Sequence, residues 1–201
     1  MQNNRIRLIT RDMAPAELAA IYERADSIDL DGELPGPTLF ANQVRALAHN
    51  PALLQSLTKV YEAFAESPSV ERKLLELGVL ICSRVNACDY CLQHHTPLAQ
   101  AAGLSKIQLR CVESGSWREQ RNLWTNEEWL VILYAEQLTR EPYKITNDFF
   151  AELRNCFDDR QIVDMTMRFA LCSAWNKFND ALRLNTELAF QHAFAELMVA
   201  D

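Results

Sequence analysis

Residues 70–95 read VERKLLELGVLICSRVNACDYCLQHH, and this stretch decides the fold. Its first part is the longest strongly apolar run in the chain, and toward Val85 it is apolar nearly all round. That pattern predicts a central, buried helix rather than a surface one. Cys88 then opens a second helix, expected over about 88–102, which Gly103 ends as the residue past the C-cap. Along one straight helix Glu76 and Cys88 stand about 18 Å apart. A turn back at Asn86-Ala87 makes the second helix antiparallel and returns His95 to the level of Glu76. The expectation is an antiparallel helix hairpin that carries the Cys-x-x-Cys.

Three kinds of chemistry fit the residues in this hairpin. Cys88, Cys91 and His95 fall along one side of the second helix, at spacings of three and four. His94 points about 100° away from His95 and reads as a neighbour. A cysteine in a first helical turn gains from the unpaired N–H groups and the positive dipole end, which favour thiolate. On this ground alone Cys88 is the more acidic thiol. A thiolate attacks a peroxide oxygen, and a second thiol closes the resulting sulfenic acid to a disulfide. A carboxylate on the far imidazole nitrogen fixes its tautomer and raises its basicity, which is what a Glu76–His95–Cys relay provides. The second reading is zinc, with Cys88, Cys91 and His95 as three ligands and a fourth from a lone residue such as Cys111, His49 or His192. The third is two core cysteines that happen to lie three apart. Cys82, Cys111, Cys156 and Cys172 are single in the sequence and read as small buried hydrophobes.

Outward from the hairpin, apolar residues keep recurring at helical spacing. Helices are expected over 14–26, 38–48 and 51–66, with an acidic, turn-rich loop at 27–37. Ser69 is a candidate cap for the central helix, and Ser105 for a short helix over 105–112. Thr125-Asn126-Glu127-Glu128 has the form of a capping box ahead of a helix over 126–140. Further helices are expected from 146, over 159–178 and over 180–199, with the polar NKFND (176–180) as the break between the last two. Trp117, Trp124, Trp129 and Trp175 read as core or subunit-interface residues. With 5 Gly and 7 Pro in 201 residues the chain has few turns, and no strand-like alternation is visible. The reading is an all-α fold of eight or nine helices in a single domain over 1–201. Its parts are an N-terminal helical extension (1–66), the Cys-x-x-Cys core (67–113) and C-terminal helices (125–201).

The net charge is −7, and Lys and Arg are dispersed, which disfavours nucleic acid and anionic membrane as partners. No apolar window approaches a membrane span, and the N-terminus lacks the apolar stretch of a signal peptide. The expected location is the cytoplasm, where six unevenly spaced cysteines do not build a disulfide framework.

The arrangement Glu76, eleven residues, Cys88-Asp89-Tyr90-Cys91, three residues, His95, followed by Ala99, Ala102 and Gly103, resembles the AhpD-like alkyl hydroperoxidases. These belong to the carboxymuconolactone decarboxylase superfamily. LAHNPALLQSL (47–57), TNEEWLVILYAEQLT (125–139) and FALCSAWNKFNDAL (169–182) are similar, more loosely, to helices that flank the motif in that family. The resemblance implies an all-helical fold, a homo-oligomer such as a trimer or hexamer, and thiol-dependent peroxidase activity without a cofactor or metal. It implies Cys91 as the peroxide-reactive thiol, Cys88 as the resolving thiol, and His95 with Glu76 as the proton relay. The substrate is then a hydroperoxide and the reductant a lipoyl-bearing or thioredoxin-like protein. In the best-known members a second histidine lies between the two cysteines; here that position is Tyr90. A lactone decarboxylase of the same superfamily is the alternative enzyme, although such members generally lack the Cys-x-x-Cys. A dithiol sensor that oxidises without turnover is the alternative outside catalysis.

Overall fold

The computed structural model describes residues 4–26 and 40–199, and among them the secondary structure is helical throughout. The α-helices are α1 (Ala16–Asp26), α2 (Ala41–Leu47), α3 (Pro51–Glu66), α4 (Arg72–Val85) and α5 (Asp89–Ala101). They continue with α6 (Lys106–Ser114), α7 (Asn126–Arg140), α8 (Asn147–Arg154), α9 (Asp159–Leu182) and α10 (Leu188–Met198). The loop expected at 27–37 lies outside the described residues. Ten α-helices are therefore described, against the eight or nine expected. None of them is long and apolar enough to cross a membrane.

The central position expected for residues 72–85 is where α4 lies, packed against α5, α7 and α9. Leu77, Val79, Leu80 and Ile81 are almost fully buried among Val131, Ile132 and Ala135 of α7 and Met165 and Phe169 of α9. Burying each large apolar side chain stabilises by about 1.5–3 kcal/mol. This packing outweighs intrinsic propensity in holding the helices. Gly78 sets the distance between α4 and α9, because a β-carbon there would overlap the Phe169 ring.

The turn between α4 and α5 is short and closed by backbone bonds. Cys88 N–H donates to Ser83 O at 2.9 Å and Ala87 N–H to Arg84 O at 3.1 Å, the paired bonds of a Schellman ending. Ala87 takes the left-handed conformation this ending needs, with φ 55°, although it carries a β-carbon. The chain reverses here, and α5 returns along α4.

Local capping signals in the sequence lead to real caps. Thr125–Glu128 and Ser105–Gln108 form reciprocal capping boxes, and Thr146 accepts from Phe149 N–H. Ser69 does not cap α4, which begins after Glu71. Its hydroxyl instead donates to Asp164 Oδ2 at 2.5 Å and ties the start of α4 to α9. The break expected at NKFND is absent. α9 runs on to Leu182 and ends at Arg183, which is left-handed with φ 50°, and the tail helix begins only at Leu188. The reason is tertiary: Asn176 and Asn179 are buried, and both find polar partners.

Candidate active site

Cys88 is the N-cap residue of α5 and Cys91 lies in its first turn. Both are buried, with Cys88 inaccessible. The Cys88 thiol is hydrogen-bonded to Cys91; that bond, together with burial, pushes it far above the ordinary thiol value. Both effects act on Cys88 against the helix dipole, which by itself favours thiolate there. Cys91 Sγ also accepts from Asn179 Nδ2 at 3.3 Å. The same amide donates to Gln43 Oε1 at 2.9 Å, which fixes its orientation.

The return of α5 along α4 brings His95 to Glu76. His95 Nδ1 lies 2.7 Å from Glu76 Oε2, and both side chains are buried. A carboxylate only accepts, so Nδ1 carries the proton and the ring's lone pair is on Nε2. Burial holds the ring below the ordinary imidazole value; Glu76 opposes this, and Arg168 and His94 reinforce it. Burial pushes the Glu76 carboxyl up, but His95, Arg168 and Arg72 outweigh it and keep it below its usual value. The pair is therefore poised as neutral imidazole beside carboxylate, the state of a base.

Cys91 and His95 both line a cavity of about 120 Å³. Cys88 and Glu76 stand behind them and do not reach it. One wall comes from α2 and α3, with Leu47, Leu54 and Tyr61, so part of the N-terminal segment covers the site. Ile6 and Leu8 pack on the cluster that holds the two cysteines. The opposite wall is a stripe of α9 with Arg168, Cys172 and Trp175. Trp175 packs against the buried cluster of Leu18, Tyr22, Leu47 and Leu54, as expected of a core residue, and also lines the cavity; its Nε1–H donates to Tyr61 Oη at 2.5 Å. The Arg168 guanidinium is buried and lies 4.9 Å from the centre of the Tyr61 ring.

His94 and Tyr90 belong to a second network. His94 is inaccessible and is packed by Phe40, Tyr90 and Phe190. Its Nδ1–H donates to Tyr90 O at 2.8 Å, and Nε2 lies 2.7 Å from Glu187 Oε2. Glu187 Oε1 accepts from Asn42 N–H at 2.6 Å, and Tyr90 Oη accepts from Gln43 N–H at 3.2 Å. These two groups satisfy the first turn of α2, which has no side-chain cap of its own. Tyr90, between the two cysteines, is thus built into the packing behind the cavity. Asn179, Gln43, Arg168 and Glu187 escaped the sequence reading. A signal existed for two of them: Arg168 and Asn179 fall on one face of the same helix.

Among the described residues, no three His, Cys, Asp or Glu side chains converge as metal ligands would. Of the fourth ligands considered for zinc, His49 is engaged by Arg7 O and Cys111 by Ser116.

Residues 51–136, which run from α3 into α7, match the carboxymuconolactone decarboxylase family. The chain is 25% identical over 122 residues to the uncharacterized protein YdfG of Bacillus subtilis (strain 168), spanning 60% of this chain and 81% of YdfG. Its fold is similar to that of the alkylhydroperoxidase AhpD core of a peroxidase-related protein from Ralstonia eutropha JMP134. The TM-score is 0.76, with 17% identity and 98% of each chain covered. It is also similar to the debrominase Bmp8, solved as a cysteine-to-alanine variant with 2,3,4-tribromopyrrole. There the TM-score is 0.75, at 17% identity over 97% of this chain and 100% of Bmp8. The segment that matches the carboxymuconolactone decarboxylase family spans the helix that carries Glu76 and the one that carries the dithiol, and the likeness in fold to the AhpD core extends over the rest of the chain.

Proposed function

We propose that this protein is a thiol peroxidase that reduces organic hydroperoxides. The observation that carries the reading is the division of labour at the cavity. Cys91 and His95 face it, while Cys88 backs the one and Glu76 backs the other. His95 Nε2 takes the Cys91 proton, and Glu76 stabilises the imidazolium that forms. The Cys91 thiolate attacks the terminal peroxide oxygen. The O–O bond breaks, Cys91 becomes a sulfenic acid, and the alkoxide takes the proton back from His95 as it leaves as alcohol. Cys88 then attacks the sulfenic sulfur, and a disulfide and water result. The mostly apolar wall supports an organic hydroperoxide over hydrogen peroxide.

The disulfide needs two electrons from an external dithiol. Both cysteines are buried, so a slender lipoyl arm entering the cavity suits the site better than the flat surface of a thioredoxin-like protein. A trimer or hexamer, as the family resemblance implies, is part of the same proposal. Cys91→Ser is expected to abolish hydroperoxide consumption, and one equivalent of cumene hydroperoxide should remove the Cys88 and Cys91 thiols from the wild type. Consumption retained by Cys91→Ser would sink the reading.

A second reading keeps the dithiol and changes the electrophile. The likeness to Bmp8 and the aromatic lining from Phe40, Tyr61 and Trp175 support it. Cys91 would take bromine from a bromoarene whose carbon gains a proton, and Cys88 would then expel bromide as the disulfide closes. Bromide release from 2,3,4-tribromopyrrole separates the two readings. Lactone decarboxylation leaves the dithiol unused, and activity on a lactone with both cysteines replaced would select it.

A further inference from the structure

The proposed reaction makes no use of the one strong charge on the α9 side of the cavity. Arg168, Cys172 and Trp175 share a face of α9 and form that wall. Arg168 is only 9% exposed. Its guanidinium lies 4.9 Å from the centre of the Tyr61 ring and 6.0 Å from that of Phe64. These ring faces attract a cation but bring no negative charge to it. Burial outweighs Arg168 in holding the Tyr61 phenol above its ordinary value, so the hydroxyl is neutral as well. Glu76 feels the Arg168 charge, but its Oε2 is spent on His95 Nδ1 at 2.7 Å. Among the described residues no carboxylate forms an ion pair with Arg168. A guanidinium does not shed its proton, and a buried charge without a countercharge is costly.

A ligand in the cavity meets the thiol and imidazole of α5, the guanidinium of α9 and an apolar lining that includes Leu47, Leu54, Leu57 and Val79. We propose that the substrate is an anion, a compact apolar body that carries a carboxylate, and that Arg168 binds the carboxylate inside the cavity. The reacting group, a hydroperoxide at Cys91, rests on the peroxidase reading above; the anion does not. The planar fork of a guanidinium offers parallel N–H donors to both oxygens of a carboxylate. The Arg168 charge is desolvated when the chain folds, so binding has only the carboxylate left to desolvate. The volume of about 120 Å³ sets the body as compact, and the apolar lining excludes a substrate that is polar throughout.

The test compares ligands that differ in the carboxylate alone. Calorimetry on the full-length wild type measures binding of para-isopropylbenzoate and of the neutral para-isopropylbenzamide, neither of which can react. The anion is expected to bind roughly 10–100-fold more tightly, the usual worth of hydrogen bonds to a charged group. Arg168→Gln should erase the preference, and Arg168→Lys, which keeps the charge, should retain part of it. Turnover gives the second arm, as the ratio of kcat/KM for the para-carboxylate of cumene hydroperoxide to that for cumene hydroperoxide itself. Arg168 also holds His95 down, but that effect is common to both substrates and cancels in the ratio. Equal binding of the two ligands by wild type, or no binding of the anion, overturns the proposal, and this comparison stands even if Arg168→Gln does not fold. A preference that survives unchanged in folded Arg168→Gln overturns it as well. Anion-selective binding with neither hydroperoxide consumed counts against the peroxidase reading alone.

Discussion

His94 and His95 are adjacent in sequence, and each meets a glutamate at 2.7 Å, yet the two pairs serve opposite ends. His95 spends one nitrogen on Glu76 and brings the rest of its ring to a cavity. His94 spends Nδ1 on a backbone carbonyl, sets Nε2 against Glu187, and has aromatic rings packed around it. A His–Glu pair alone is therefore no mark of a catalytic base. What decides is whether the second nitrogen is left to act on something else. The first pair sits at the cavity, as the proposed proton transfer requires, and the second joins the contacts that hold α2 in place.

The comparison breaks if the two histidines prove interchangeable. His95→Ala should lower hydroperoxide turnover by about 10²–10⁴-fold, the usual contribution of a general base. Steady-state kinetics with an organic hydroperoxide reads this, and a fall of less than tenfold would take His95 out of the relay. Glu187→Ala should act on the fold instead. It strips His94 of its partner and α2 of its first-turn acceptor, for a loss of about 2–4 kcal/mol in urea unfolding. The folded fraction should still close the Cys88–Cys91 disulfide.

A smaller effect comes from pH. Burial holds His95 below its unfolded value of about 6.5, so the unfolded chain takes the proton first. The stability that depends on neutral His95 is complete above that pH and is lost as pH falls toward the folded value. The cost is about 1.4 kcal/mol per unit of separation. Tm measured from pH 7.5 to 5 should decline in wild type and decline less in His95→Ala. The smallest change concerns the turn that carries both histidines. Ala87→Gly relieves the left-handed strain and should stabilise by about 0.5–1 kcal/mol. Turnover should stay unchanged, because the turn geometry is the same.

The sequence was most legible where interactions are local. Thr125, Ser105 and Thr146 cap the helices they precede, since a cap needs only residues within one turn. α3 begins at Pro51 and ends at Glu66, the bounds its apolar spacing predicts. The spacing of Cys88, Cys91 and His95 placed all three on α5, and the return at Asn86-Ala87 placed Glu76 opposite His95. It was least legible where a polar residue has a distant partner. NKFND reads as a break because buried asparagines are costly without hydrogen bonds. Their partners, Asn86, Ser83, Gln43 and Cys91, lie about 90 or more positions away.

By itself, the sequence determined an all-helical chain, its caps, and a dithiol beside a histidine at the start of a helix. Periodicity and caps are properties of neighbouring residues, and they survive without knowledge of the rest of the fold. Only the tertiary structure decided which cysteine of the pair and which histidine reach the cavity. It also decided that α9 continues through its asparagines. Each of these depends on which groups are buried together, and burial sets the worth of a proton, a hydrogen bond or a charge far more than sequence neighbours do.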